Sequence, residues 1–423
     1  MWSLRPALSS PGDSPSAVRF GAFRGLGSWG LGLWGVGFLA LSFLVLGCAS
    51  SKRPTMAPPP PIDLPALVVT PTTSAQVDEL LQEADRQAEQ GHDDRAMALY
   101  HQVITADTSG VYRRRALFGL GFVYDRAGRS EQALDAYLNV VDIGKLGEPD
   151  SDEARVRAVR LLLFLDRFRE ADEVGRPLEP KTRNALEQAA LRAARALGDL
   201  ERGELEAAQA EISRGQASLE AAGFAPLVDV PLDVAALEYA RGELLRAKAE
   251  QIRFKPLPQE FAAVLEARCQ LILDAQAAYS EAMKSKSAQY AAKSGVRVGE
   301  LYQSLHTDLV GMGAPIAVSS EEKRLLFEGA LRLRYSILLT KAKAMMTSTV
   351  ALIERSGEGG AWATRAREAL EGIARAERVE QALLDALPVS RSELEAALAE
   401  LEARARQGQG SPPESAGPGA KSN

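Results

Sequence analysis

The sequence predicts an all-α protein of stacked helical hairpins that continue into longer C-terminal helices. Alanine, leucine, glutamate and arginine dominate the chain between residues 76 and 407, and runs of β-branched residues are short. Charged and apolar residues alternate there at helical spacing. A short motif also recurs at a nearly constant interval, which is typical of a repeat protein.

The N-terminal segment has the features of a secretory signal. Three arginines and one aspartate precede an uncharged stretch from Gly25 to Gly47, and Val45-Leu46-Gly47-Cys48 closes it. A basic region, an apolar region and a small residue before the cut form the secretory pattern. The last four residues resemble the lipobox of bacterial lipoproteins. That resemblance implies that residues 1–47 are removed and that lipid is attached to Cys48.

An uncleaved N-terminal helix is the alternative, because 23 uncharged residues are also long enough to span a bilayer. It would leave the chain in the inner membrane. In the lipoprotein interpretation, Ala49 is not the aspartate that retains lipoproteins at the inner membrane in enterobacteria-like systems. The resemblance therefore implies an outer-membrane location.

Net charge and cysteine content restrict the classes of ligand and the disulfides that the chain can have. The net charge is −6 overall and +2 before Cys48, so the chain from Cys48 onward carries −8. An acidic chain of this kind is a poor ligand for nucleic acid or for an anionic membrane surface. Cys269 is the only other cysteine, so the processed chain has no intramolecular disulfide to form. Cys269 is spaced as a member of an apolar stripe along a helix. This position favours a buried small side chain over a reactive thiol.

Composition divides the chain into five parts. Prolines crowd the segment after Cys48, which favours an extended tether, and the C-terminal end is too polar and glycine-rich to pack. The predicted organisation is a signal at 1–47, a tether at 48–75, repeats at 76–225, C-terminal helices at 226–407 and a disordered tail at 408–423.

The repeat is defined by a six-residue motif. Gly91–Ala96 returns as Gly128–Ala133, as Asp166–Ala171 and as Gly203–Ala208. The four closing alanines are 37, 38 and 37 residues apart. A hairpin cannot bury its apolar face alone, so such units stack on one another.

The second unit matches a tetratricopeptide repeat most closely. Its matching residues are Leu117, Leu120, Gly121, Tyr124, Gly128, Ala133 and Tyr137. Gly121 and Ala133 are small where the two helices of a hairpin cross closely, and Gly128 permits the tight turn between them. Tyr124 and Tyr137 are predicted to fill the space between one hairpin and the next. The resemblance implies a tetratricopeptide-like helical-hairpin solenoid.

Beyond Pro226 the predicted helices become longer. They cover 232–254, 260–287, 289–310, 320–355, 360–386 and 392–406, with Ser390 and Glu393 as a capping box for the last one. These helices either continue the superhelix or form a separate bundle. Continuation with a capping bundle is favoured.

No motif supports catalysis or metal binding. The three histidines, His92, His101 and His306, lack the spacing of a zinc site, and no phosphate-binding, kinase or nucleophile-elbow pattern occurs. Carboxylates stand among arginines at helical spacing, as on a solvated face. We expect no enzyme, cofactor, metal or small-molecule substrate.

In the family resembled, partners contact the first helix of each hairpin. That helix would present Arg115, Phe118, Phe122 and Asp125 in the second unit, Glu153, Val156 and Arg160 in the third, and Asp78 and Asp85 in the first. An exposed phenylalanine beside arginine suits a peptide or helix. Alternatively, Phe118 and Phe122 pack against the neighbouring hairpin.

The lipobox, the proline-rich segment and the repeats together resemble tetratricopeptide-repeat lipoproteins of the bacterial envelope. The long C-terminal helices resemble those of gliding-motility complexes more narrowly. The resemblance implies a lipid-anchored scaffold that faces the periplasm and binds envelope proteins. An assembly or quality-control factor for outer-membrane or unfolded client proteins is the second interpretation.

Overall fold

The computed structural model describes residues 73–107, 110–178, 184–224, 229–255, 258, 260–313, 320–356, 360–396 and 398–399. Within these ranges the fold is all-α, as the sequence predicts. The predicted signal, Cys48, almost all of the tether and the C-terminal tail lie outside the described residues. The chain divides into two units, Val68–Leu387 and the two ends Met1–Leu67 with Pro388–Asn423.

The larger unit consists of consecutive helices. They are α1 Ser74–Glu89, α2 Asp93–Ala106, α3 Val111–Arg126, α4 Ser130–Ile143, α5 Pro149–Phe164, α6 Phe168–Gly175, α7 Ala185–Arg202, α8 Leu205–Ala221, α9 Leu232–Gln251, α10 Phe261–Ala282, α11 Ala288–Val310, α12 Glu321–Ser356 and α13 Gly360–Asp385. Each helix packs on the next, and α1, α3, α5, α7, α9 and α11 also pack in order along one side. This is the stacking of a tetratricopeptide-like solenoid.

The turns inside the first four hairpins have the same conformation. Gly91, Gly128, Asp166 and Gly203 have φ values of 76°, 71°, 59° and 81°. In each turn the next residue donates a 2.9 Å backbone hydrogen bond to the carbonyl five positions earlier. This left-handed residue and its bond are the Schellman ending of a helix. The repeat predicted from sequence is therefore confirmed in the backbone.

Small residues in one helix accommodate large side chains from another. A Cβ on Gly121 would lie 2.8 Å from Cε1 of Tyr137, and one on Gly242 would lie 2.6 Å from Cε1 of Tyr279. Ala133 is fully buried. The Tyr137 ring thus packs within its own hairpin, where Gly121 leaves room for it. The predicted close crossing of the hairpin helices thus depends on glycine, because any larger residue would collide with the facing ring.

The described C-terminal helices α9 to α13 lie close to their predicted ranges. The exception is α10, which ends at Ala282 and not near residue 287, because the chain turns there and Ser287 caps the next helix by accepting a bond from the Tyr290 amide. Tyr302, Tyr335 and Met346 are buried. Cys269 is half-buried, and burial raises the pKa of its thiol to about 11. A thiol with that pKa is a weak nucleophile at neutral pH.

One described helix, α12, is long and apolar enough by length and composition to cross a membrane. It packs along α11 and α13, and about a third (33%) of its most apolar window is buried. Ion pairs join it to α13, including Lys343 with Glu377 at 2.6 Å. These contacts fit a packed helix of the solenoid.

The short described part of the second unit contains the predicted capping box. The Ser390 amide donates to Glu393 Oε2 at 2.6 Å, and the Glu393 amide donates to Ser390 Oγ at 3.3 Å. Residues 391–396 are helical. The sequence motif therefore marks a real helix start.

Alanine at Gly121 should destabilise the fold, whereas alanine at Gly372 should stabilise it. Both glycines lie in helices, but the new methyl group at Gly121 collides with the Tyr137 ring, and nothing lies within 4 Å of the corresponding position at Gly372. We expect a loss of about 1–2 kcal/mol for Gly121→Ala and a gain of about 0.5–1 kcal/mol for Gly372→Ala. Urea unfolding of the purified protein measures both, and equal effects would contradict the packing described.

Candidate functional site

The predicted contact residues lie on neighbouring odd-numbered helices, with Asp78 and Asp85 on α1. Helices α1, α3 and α5 lie side by side, so their outer surfaces form one continuous face. The predicted residues on it are Arg115, Phe118, Phe122 and Asp125 from α3 and Glu153 and Arg160 from α5. As partner contacts these residues remain predictions. Their surroundings nevertheless differ sharply.

The guanidinium group of Arg157, on α5, lies close to three aromatic rings. The guanidinium carbon of Arg157 lies 5.7 Å from the centre of the Phe118 ring, 5.5 Å from that of Phe122 and 5.9 Å from that of Tyr137. We call these four residues the Arg157 cluster. A guanidinium within about 6 Å of a ring face is attracted by the ring quadrupole. The cluster therefore holds α3, α4 and α5 together at the surface.

The two phenylalanines have different environments. Phe118 is half-buried and meets the Tyr137 ring edge-on, with the centroids 5.7 Å apart. Phe122 is 42% exposed, although Arg126 lies over its ring at 5.5 Å in addition to Arg157. Phe118 thus packs on Tyr137 of its own hairpin and beside Arg157 of the next one, whereas Phe122 contacts arginines and remains exposed to solvent.

Both arginines around Phe122 are fixed by groups of this chain. Glu153 Oε1 accepts from Arg157 Nε at 3.0 Å and from Nη2 at 2.8 Å. Arg126 donates to the Ala88 carbonyl at 2.9 Å and pairs with Asp93. Because both cations are already bound, the exposed ring is held in place and adds little conformational entropy cost to binding. Glu153 acts here by positioning Arg157.

The polar members of the face have separate roles. Arg115 Nη2 lies 3.5 Å from Asp85 Oδ2, and Asp85 also accepts from the Tyr100 hydroxyl at 2.8 Å. Burial and this hydrogen bond raise the pKa of Tyr100. Partial burial raises the pKa of the Asp125 carboxyl, and the nearby Arg157 cation only partly offsets this. Among the described residues, Arg157 acts on the Asp125 carboxylate through its charge and not through a hydrogen bond.

Arg160 lies apart from this group because it is bound within the chain. Its Nε and Nη2 donate to the two carboxylate oxygens of Asp233 at 2.8 and 2.6 Å. The Asp233 side chain is only 7% exposed. Arg160 therefore joins α5 to α9. Val156, which the repeat period also places on the face, is buried at 4% exposure, so that placement is wrong.

Sequence reasoning did not include the two arginines that frame Phe122. Arg157 had a usable signal, because it stands four residues after Glu153 and such pairs interact on a helix surface. Arg126 had none, because its partners come from the preceding hairpin. Within the described ranges, no cluster of three or more metal-binding side chains occurs.

Comparison with known proteins gives likeness of fold only. No protein-family model matches the chain, and no curated protein sequence matches it. A tetratricopeptide repeat protein from Parabacteroides merdae is 16% identical, with a TM-score of 0.36 over 71% of this chain and 99% of that one. The Naa15/Naa10 complex bound to HypK-THB contains a chain 16% identical, with a TM-score of 0.32 over 79% of this chain and 48% of that one. This chain thus spans about half of that second chain.

Alanine substitution should separate the two phenylalanines. Phe118→Ala removes a half-buried ring from the Arg157 cluster, and we expect a loss of about 2–3 kcal/mol in the free energy of unfolding. Phe122→Ala removes an exposed ring, and its cost should stay below about 1 kcal/mol. Chemical denaturation of the purified variants measures both. A larger cost at Phe122 would make that ring a core residue and not a surface contact.

Proposed function

We propose that this chain is a scaffold that binds protein partners through the face around Phe122. The observation that carries the proposal is a large aromatic ring that is 42% exposed yet fixed between two bound guanidinium groups. Aromatic and arginine side chains dominate the energetics of protein interfaces, and prior ordering lowers the cost of association. A repeat solenoid supplies the extended face on which such contacts are arranged.

The charges of the face restrict the partner. Arg115, Arg126 and Arg157 each pair with a carboxylate of this chain, namely Asp85, Asp93 and Glu153. No arginine of this set is left to grip a free C-terminal carboxylate, so a segment that ends in one is disfavoured. The partner should instead place an apolar side chain on Phe122 and offer a cation or an N–H donor to Asp125.

We further propose that the chain is held at the bacterial outer membrane, facing the periplasm, by lipid on Cys48. Support comes from the sequence alone: Val45-Leu46-Gly47-Cys48 ends an uncharged stretch, and the residues that follow are rich in proline. Two or more acyl chains provide stable anchoring where one binds only marginally. An envelope machine, such as a motility or other trans-envelope complex, would be the partner of such a scaffold.

A photo-crosslinking amino acid at position 122 should capture the partner in intact envelopes. The matched control is position 143, because Ile143 is 43% exposed, as Phe122 is at 42%, but lies on α4 and not on the odd-numbered helices. We expect the same stoichiometric adducts from position 122 in every preparation. Adducts from the exposed position 115 on the same helix should be lost when Phe122→Ala is added. Equal adducts from positions 122 and 143 would contradict this face as the binding surface. A changing mixture of adducts would favour the assembly or quality-control alternative.

Mass spectrometry of the N-terminal peptide tests the anchor. We expect the chain from cells to begin at Cys48 with diacylglycerol on its sulfur, and Cys48→Ser to lack the lipid and keep residues 1–47. Cys269→Ser is the matched control, since it removes the other cysteine and should leave the modification unchanged. An unmodified Cys48 that is still preceded by residues 1–47 would establish an uncleaved N-terminal helix instead.

A further inference from the structure

The third hairpin turn differs from the other three by one residue. Asp166 stands where they have glycine, and it adopts the same left-handed conformation with φ of 59°. That conformation is unfavourable for a residue with a side chain, although aspartate tolerates it better than most. A strained residue in a repeated turn calls for a contact that offsets the strain.

The carboxylate of Asp166 makes two contacts with residues far along the chain. Its Oδ2 accepts from Trp362 Nε1 at 2.7 Å, and its Oδ1 lies 3.2 Å from Lys293 Nζ. Trp362 belongs to the start of α13 and Lys293 to α11. One side chain of the third hairpin therefore binds two of the three last helices.

Lys293 is completely buried in this contact. Its Nζ also donates to the Leu163 carbonyl at 3.2 Å, and it lies 4.0 Å and 4.4 Å from the ring centres of Tyr290 and Tyr239. A buried ammonium is costly unless it is paired, and burial lowers the pKa of Lys293. The rings and the carbonyl lessen that cost, but only Asp166 supplies a full negative charge.

The other carboxylates near Lys293 are already paired with arginine side chains. Glu243 accepts from Arg297 Nε, Arg246 Nη2 and the Tyr279 hydroxyl at 2.7, 2.8 and 2.8 Å. Glu300 accepts from Arg297 at 2.8 Å and from Arg365, which also covers the Trp362 ring. Within the described residues, Asp166 is therefore the one carboxylate in ion-pair contact with Lys293.

The last three helices pack mainly on one another. Helix α12 lies against both α11 and α13, and α11 and α13 also touch, whereas α11 meets the preceding hairpin α9–α10 over a smaller surface. At its free edge this group reaches α5, where Gln289 donates to the Phe164 carbonyl. We call α11, α12 and α13 the three-helix module.

We infer that the three-helix module is a releasable lid on the third hairpin, latched by the contact of Asp166 with Lys293 and Trp362. Charged contacts of this kind are open to rearrangement, because each partner is well solvated once it is released. Release would uncover the carbonyl end of α5, next to the face that carries the Arg157 cluster. The inference does not depend on that face binding a partner.

Hydrogen–deuterium exchange of the full-length protein in detergent tests the latch. Asp166→Asn keeps a turn-forming residue and an acceptor for Trp362 but removes the charge. We expect amides of α11–α13 to exchange roughly 100-fold faster in this variant, because Lys293 loses its counter-charge. Exchange in α1–α4 should not change. Asp166→Gly, which restores the residue of the other turns, should behave in the same way.

The reverse substitution distinguishes a latch from general packing. Lys293→Met leaves Asp166, which is 30% exposed, in contact with water and Trp362, so its effect should be clearly smaller. The double variant Asp166→Asn with Lys293→Met should recover protection relative to Asp166→Asn alone. Faster exchange throughout the chain in Asp166→Asn would overturn the inference, since the module would not open as a unit. Unchanged exchange in α11–α13 would overturn it equally.

Discussion

The left-handed turn between the two helices of a hairpin is the constraint on which this structure depends. At residues 91, 128, 166 and 203 it stops one helix and starts the next with the same hydrogen bond. Because the turn is the same each time, the two helices of each hairpin are joined by the same backbone geometry, and successive hairpins can stack. The packing of α1, α3, α5 and α7 in order along one side is consistent with it.

The turn at Asp166 has the backbone conformation of the other three turns and makes an additional side-chain contact. Asp166 keeps the backbone of a glycine turn, and its carboxylate adds a contact that the other three turns lack. Nearby, Arg160 is bound by Asp233 of α9. The solenoid is thus tied to its later helices at both the turn and the body of α5, while the first two hairpins keep an open face.

The fold was predictable from sequence because its determinants are local. The spacing of Gly91, Gly128 and Gly203, the small residue at Gly121 and the capping box at Ser390 each act within one hairpin or one helix start. The site was predictable only in part. Phe122 followed from the repeat register, but the partners of Arg126, Arg160 and Asp166 lie 33, 73 and 127 residues away. No periodic pattern reports contacts at such separations.

The ion pairs of the two arginines beside Phe122 would also restrict what the proposed binding face recognises. A surface with free arginines would attract acidic or carboxyl-terminated ligands, but here the guanidinium groups near Phe122 are already neutralised by Glu153 and Asp93. Their remaining effect is to orient the aromatic ring, over which both guanidinium groups lie. Selectivity for a partner would then depend on the shape of the Phe122 ring and on the Asp125 carboxylate. A face of this composition favours an apolar side chain with a neighbouring cation, presented by a folded or helical partner.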